Sequence, residues 1–251
     1  MVHIVGAGCG APDLITLRGK AYLDRADVII YAGSLVNPAL LAYAKDGCAV
    51  YDSAKMTLEE IVDVVAAAER DGKTTVRLHT GDPSLYGAIG EQMRAFDAHG
   101  IKYDITPGVS AFAGAAAALN IEYTLPDVSQ TVIITRAEGA TPVPAREKLS
   151  ALAAHGATMV LFLSTGLLGK VTAALTEGGY AADTPAAIVY KASWPEEKVL
   201  RCTLATLEKT AAENHISKTA LIVVGRVLDT DFARSMLYHP SFSTEFREAS
   251  K

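Results

Sequence analysis

Apolar positions in the first hundred residues follow two rhythms. Short β-rich runs, Val2–Val5, Asp27–Tyr31 and Thr74–His79, have the length and composition of strands. Helical spacing fills the intervals. Thr16 stands as a cap before a helix over Leu17–Ala26, and Asn37-Pro38 places a cap ahead of a first-turn proline. Thr57 and Glu60 form a capping box before Ile61, Val64, Val65 and Ala68. Ile89, Met93 and Phe96 line one face of a further helix that Gly100 closes, and Tyr103–Thr106 is the next strand. Such alternation predicts an α/β fold built on a mostly parallel sheet.

After Asn120 the texture changes. Strands are predicted over Gln130–Thr135, Thr158–Leu163, Ala186–Tyr190, Val199–Cys202 and Leu221–Val227, and helices near Arg146–Ala154, Leu167–Glu177 and Leu207–Asn214. Glu138–Pro144 and Ser193–Glu197 read as loops. The second loop carries Trp194-Pro195 between two strands, which predicts a hairpin and a partly antiparallel sheet. A boundary falls within residues 113–122, giving an N-terminal α/β domain over 1–115 and a C-terminal one over 116–251.

Composition narrows the function classes. Half of the 251 residues are apolar and a fifth are charged, as in ordinary globular proteins. The net charge is −5, the pI about 5.7, and no Lys/Arg cluster stands out, which disfavours nucleic acid. A locally basic pocket for a polyanionic small molecule stays compatible with that balance. The opening residues show no basic stretch followed by a long apolar run, so no signal peptide is expected. No window reaches the roughly 18 apolar residues of a membrane span. Cys9, Cys48 and Cys202 are odd in number and in no metal or redox spacing, which suggests a reducing cytosolic compartment and no metal site.

Gly6-x-Gly8-x-x-Ala11 imitates a dinucleotide fingerprint. That fold also needs an acid at the end of its second strand. Here the strand ends Tyr31-Ala32-Gly33, and Pro12 and Asp13 interrupt the entry into the helix. The glycines serve equally well in a tight strand-to-helix turn.

Four segments are together far more specific: Gly6–Thr16 (GAGCGAPDLIT), Thr80–Gly87 (TGDPSLYG) with Ala88–Gln92 after it, Thr106–Ala111 (TPGVSA) and Thr135–Pro144 (TRAEGATPVP). In this order and spacing the chain resembles the tetrapyrrole (corrin/porphyrin) methylases over nearly its whole length. Tyr31–Val36, Asp52–Thr57 and the fourth segment resemble the precorrin-4 and cobalt-precorrin-4 C11-methyltransferases within that family. The resemblance implies two α/β domains of the class III methyltransferase type, with the cofactor in the cleft between them. It implies an S-adenosylmethionine-dependent transferase acting at C11 of a corrin precursor in cobalamin biosynthesis, as a cytoplasmic homodimer. It also implies cofactor contacts at Cys9, Thr80, Gly81, Asp82, Leu85, Ser110, Ala111, Leu163 and Ala192. Cys9 departs from the proline usual at its position.

Such a cofactor carries no phosphate, so its site needs main-chain groups, apolar walls and tight turns. Gly81-Asp82-Pro83 supplies a turn where a ligand can approach the backbone. Carbon methylation needs alignment and exclusion of water more than a dedicated nucleophile. Lys55 and Arg136 are candidates for pairing with acceptor carboxylates. Asp13, Tyr31 and Ser34 are candidates for orienting the macrocycle or taking a proton, and no catalytic base is named. Another member of the family acting at a different position, a nucleotide-dependent oxidoreductase and a binding module remain the alternatives. Whether the acceptor carries cobalt stays open.

Overall fold

The computed structural model describes residues 1–229 and 232–250. The chain forms two units. One comprises Met1–Gly114 together with Ala192–Pro195, the other Ala115–Lys191 together with Glu196–Lys251.

The first unit runs β1 (Val2–Gly6), α1 (Leu17–Leu23), β2 (Val28–Tyr31), β3 (Ala49–Asp52), α2 (Leu58–Arg70), β4 (Thr75–His79), α3 (Ile89–Ala98) and β5 (Tyr103–Thr106). The strands pair in the order β3-β2-β4-β1-β5, and every pairing is parallel, as expected. The sheet is buried on both faces, so strand alternation sorts its side chains into two cores. Val5, Ile29, Val76 and Leu78 pack with Leu23 of α1. Val2, Ile4, Val28 and Ile30 pack with Ile61, Val62 and Val65 of α2 and with Ile89 and Phe96 of α3. The helices that follow the adjacent strands β1 and β4 therefore lie on opposite faces. Their loops diverge at the C-terminal end of this pair, the place where open α/β sheets bind ligands.

The caps form as the sequence predicts. Thr16 accepts from the Gly19 N–H, and Thr57 and Glu60 complete the capping box of α2. α1 stops at Leu23, three residues short of expectation, because Arg25 and Ala26 turn back onto the Tyr22 and Leu23 carbonyls. Asn37 caps a 3₁₀ segment, Pro38–Tyr43, not an α-helix. The edge strand β3 lies outside the predicted set.

The chain passes into the second unit within α4 (Ala111–Leu119) and continues through β6 (Val132–Arg136), α5 (Leu149–Ala153), β7 (Thr158–Phe162), α6 (Leu168–Glu177), β8 (Pro185–Tyr190), β9 (Lys198–Thr203), α7 (Leu207–Glu213) and β10 (Ala220–Val224). The sheet order is β6-β7-β10-β8-β9. Only β6 and β7 are parallel, and β8–β9 is the predicted antiparallel hairpin. Met159, Leu161, Ile188, Ile222 and Val224 pack against Leu168, Val171, Leu175 and Leu207 of α6 and α7. The strand expected to reach Val227 ends at Val224, because Gly225 at φ 149° turns the chain into a 3₁₀ segment. The helix expected over Arg146–Ala154 is split into a 3₁₀ turn, Ala145–Glu147, and α5. Among the described residues no helix is long and apolar enough to cross a membrane, and no cluster of three metal-ligating side chains occurs.

Candidate functional site

Three loops leave the C-terminal ends of β1, β4 and β5 and meet on glycine. Gly8 and Gly81 form an antiparallel bridge, with Gly81 N donating to Gly8 O at 2.9 Å and Gly8 N to Gly81 O at 3.3 Å. A Cβ on Gly6 would lie 2.6 Å from Gly108 Cα, and one on Gly108 only 2.1 Å from Gly81 O. Main chain touches main chain at this crossing, so side chains are excluded. The turn is tied by Asp82. One carboxylate oxygen accepts from Gly108 N at 2.9 Å, and the other accepts from the Ser84 amide at 2.9 Å and from the Ser84 hydroxyl.

Partial burial pushes the Asp82 carboxyl up, but the hydrogen bonds from Ser84 and Gly108 outweigh it and hold it below the usual aspartate range. A depressed native pKa contributes stability that is complete above the unfolded value, about 3.9, and is lost as the pH falls through the native value. Acid denaturation of Asp82→Asn should accordingly show a shallower loss of stability below about pH 4 than the wild type. Identical acid limbs would mean that the carboxylate does not hold this turn.

The other cofactor-contact candidates of the first unit cluster here. Gly81, at φ 59°, places its missing Cβ 3.3 Å from Ala111 N and 3.6 Å from Ser110 Cα, so the Thr80–Asp82 and Ser110–Ala111 segments are neighbours. The Thr80 hydroxyl donates to Leu35 O at 3.4 Å, and Leu85 N donates to Asp82 O at 3.2 Å. Cys9 is buried. Its thiol lies 3.4 Å from the Ser193 hydroxyl and against Gly114, so its sulfur is engaged within the unit. Ala192 opens the four-residue segment that packs on this loop. The Ser193 hydroxyl accepts from Ala11 N at 2.9 Å, and a Cβ on Gly10 would lie 2.3 Å from the Trp194 indole.

The subgroup segments also converge. β2 and β3 pair Tyr31 with Asp52, which brings the turn after each strand side by side. Asp52 accepts from Ala54 N at 3.0 Å and Gly33 N at 3.2 Å, and the Ser53 hydroxyl donates to Tyr31 O at 3.1 Å. The half-buried Tyr31, exposed Ser34 and exposed Lys55 thus share one edge of the sheet. The Lys55 side chain is 82% exposed and only 3.8 Å from Asp52, a loose pairing. Asp13 is exposed in the 3₁₀ turn Pro12–Leu14.

In the second unit, Arg136 ends β6 and Leu163 directly follows β7, the parallel pair of strands. Arg136 donates to Ala137 O at 3.3 Å, Thr141 O at 3.1 Å and Pro142 O at 2.8 Å, so much of its guanidinium is engaged in shaping the following loop. Leu163 is 63% exposed and sits at φ 52°, an unfavourable conformation for a non-glycine residue. A depression of about 530 Å³ in this unit is lined by Thr158, Tyr180, Thr184 and Arg226, at the other end of β7, away from Arg136 and Leu163.

Asn37, Ser193, Trp194 and Gly108 escape sequence reasoning as shapers of the site. Asn37 caps its own turn and also donates to Gly10 O at 2.9 Å, which no spacing rule signals.

Residues 1–208 match the profile of the tetrapyrrole (corrin/porphyrin) methylases. The cobalt-precorrin-4 C(11)-methyltransferase of Methanocaldococcus jannaschii is 53% identical over all of this chain and 97% of its own. The precorrin-4 C(11)-methyltransferase of a Sinorhizobium species is 47% identical over 98% of both chains. Among solved structures, a cobalt precorrin-4 methyltransferase of cobalamin biosynthesis superposes with a TM-score of 0.89 at 48% identity, covering 91% of this chain and 96% of that one. A uroporphyrin-III C-methyltransferase from Thermus thermophilus, in complex with S-adenosylhomocysteine, gives 0.75 at 25% identity, covering 91% and 93%.

Proposed function

This chain belongs to the tetrapyrrole (corrin/porphyrin) methylases, and on that premise we propose that it transfers a methyl group from S-adenosylmethionine to C11 of precorrin-4 or its cobalt complex, in cobalamin biosynthesis. The observation that carries the reading is the glycine crossing of Gly6, Gly81 and Gly108 at the strand ends, tied by Asp82. It leaves main-chain groups at the strand ends uncovered by side chains, which suits a cofactor held through backbone contacts. The dinucleotide alternative has no support in the family the chain matches. The carboxylate beside Gly33 comes from Asp52, whose Oδ1 already accepts from two amides.

When bound, S-adenosylmethionine supplies a methyl group on an already activated sulfonium. In the first unit, Thr80, Gly81, Asp82 and Leu85 would hold it from the loop after β4, Ser110 and Ala111 from the loop after β5, and Cys9 and Ala192 through their main chains. Leu163 is a further cofactor-contact candidate by the family resemblance. Lys55 and Arg136 would pair with acceptor carboxylates, Lys55 as the less committed cation. Tyr31, Ser34 and Asp13 would orient the macrocycle or take a proton. These roles, a homodimer and a cytoplasmic location are carried over from the family resemblance.

The test is incubation with S-adenosylmethionine and either precorrin-4 or cobalt-precorrin-4, with the product read by mass spectrometry and carbon NMR. The expected result is one added methyl, on C11. A methyl on another ring carbon would transfer the assignment to a different member of the family. No transfer to either acceptor, by a protein that binds S-adenosylhomocysteine, would remove the proposed substrate.

A further inference from the structure

The central strand β4 breaks the rule for a strand covered on both faces. Its α1-facing residues are Val76 and Leu78, but Thr75, Arg77 and His79 alternate with them and are all buried. Arg77 is 4% exposed, and burial pushes its guanidinium down to about 10. His79 is equally buried. Burial first, and the neighbouring Arg77 second, push its imidazole down to about 3 and keep it neutral. The bonds of Arg77 go to neutral groups: Nε to Gln92 Oε1 at 2.9 Å, and one terminal nitrogen to the carbonyls of Ile30 at 3.1 Å and Leu78 at 3.4 Å. A buried cation held in this way has a desolvation penalty that hydrogen bonds to amides only partly offset.

Gln92 is also buried and has a second bond. Its Nε2 donates to Ala88 O at 3.2 Å. Ala88 is the first residue before α3. It has φ 49° and no side-chain cap, and Tyr86 two residues earlier has φ 55°. Each non-glycine residue in the left-handed region is strained and persists only where its surroundings impose it. These two residues end the loop that begins with Thr80-Gly81-Asp82. Asp82 fixes the front of that loop; Arg77 of β4 reaches its back through Gln92 of α3.

We propose that Arg77 and Gln92 are positioning residues for the cofactor loop, setting the strained end of Thr80–Ala88 without touching the ligand. The inference rests on the methyltransferase reading for its functional consequence, but not for its structural one.

Gln92→Glu separates the two arms. A carboxylate keeps the acceptor for Arg77 and loses the donor to Ala88, so global stability is retained while the loop is released. The expected result is a melting temperature within about 3 °C of wild type, since the charged pair offsets the lost bond. Amide exchange at residues 85–88 should be faster in the ligand-free protein. Affinity for S-adenosylhomocysteine should be about tenfold weaker, the size of one lost hydrogen bond, with turnover at saturating cofactor little changed. Gln92→Met removes both arms in an unbranched chain of similar length and should show the same exchange and binding changes if the glutamate variant does not fold. Unchanged exchange at 85–88, or wild-type affinity in a protein that binds the ligand, would overturn the proposal. Failure of the wild type itself to bind S-adenosylhomocysteine would instead count against the methyltransferase reading, and the exchange arm would still decide whether Gln92 sets the loop.

Discussion

Gly108→Ala is expected to lower the melting temperature by about 6–12 °C, from a cost of about 3 kcal/mol in a chain of this size. The new methyl carbon would sit 2.1 Å from Gly81 O, 2.8 Å from Gly6 Cα and 2.9 Å from Gly6 C. Each of those atoms is main chain, so no rotamer change relieves the clash. Relief requires parting the loop after β5 from the loops after β1 and β4, which strains the Asp82 tie to Gly108 and, if those loops move instead, the Gly8–Gly81 bridge. Ordinary overpacking costs about 1–3 kcal/mol because side chains can yield; here the upper end is the appropriate choice. Gly90→Ala is the matched control. No atom lies within 4 Å of its Cβ position, and it lies in α3, so alanine there should stabilise by about 0.5 kcal/mol. Equal melting of the two variants in thermal denaturation would mean that the three loops are not packed as described.

Gly81→Val is expected to abolish measurable binding of S-adenosylhomocysteine, a loss of at least about 100-fold, in a protein that still folds. Gly81 has φ 59°, where a β-branched residue is strongly disfavoured. Its Cβ would lie 3.3 Å from Ala111 N, and the two γ-methyls would extend beyond that toward ligand-facing space or the Ser110–Ala111 turn. Either direction displaces groups proposed to hold the cofactor. Gly81→Ala carries the backbone strain without the branch, so its affinity should fall between the two. Isothermal titration of the three proteins reads the series. A folded valine variant with normal affinity would move the cofactor away from this turn.

The elements that local chemistry specifies were legible in the chain. Thr16 and the Thr57–Glu60 box marked two helix starts because a cap is a short-range bond between residues three apart. Strands β1, β2, β4 and β5 of the first sheet stood out as short β-rich runs, β4 and β5 with polar residues among them, and Trp194-Pro195 marked the hairpin loop. β3 did not stand out: it is a four-residue edge strand, mostly exposed, whose pairing with β2 is its only reason to be extended. The motifs located the loops of the candidate site, but not what each residue does there. Arg136, proposed for substrate carboxylates by residue type, is largely bonded to carbonyls of its own loop. Asn37 and Ser193 reach the first loop across 27 and 182 positions of sequence, distances at which periodicity carries no information.

The inclusion of Ala192–Pro195 in the first unit bears on how this protein can be dissected. A fragment ending at Gly114 would contain all five strands of the parallel sheet and still be unfinished. It would lack the hydroxyl that receives the Ala11 amide and the indole for which Gly10 is bare of a side chain. The first loop completes its fold only after the ribosome has passed residue 195, so a recombinant half-protein made for ligand screening should carry that tetrapeptide, grafted or added in trans.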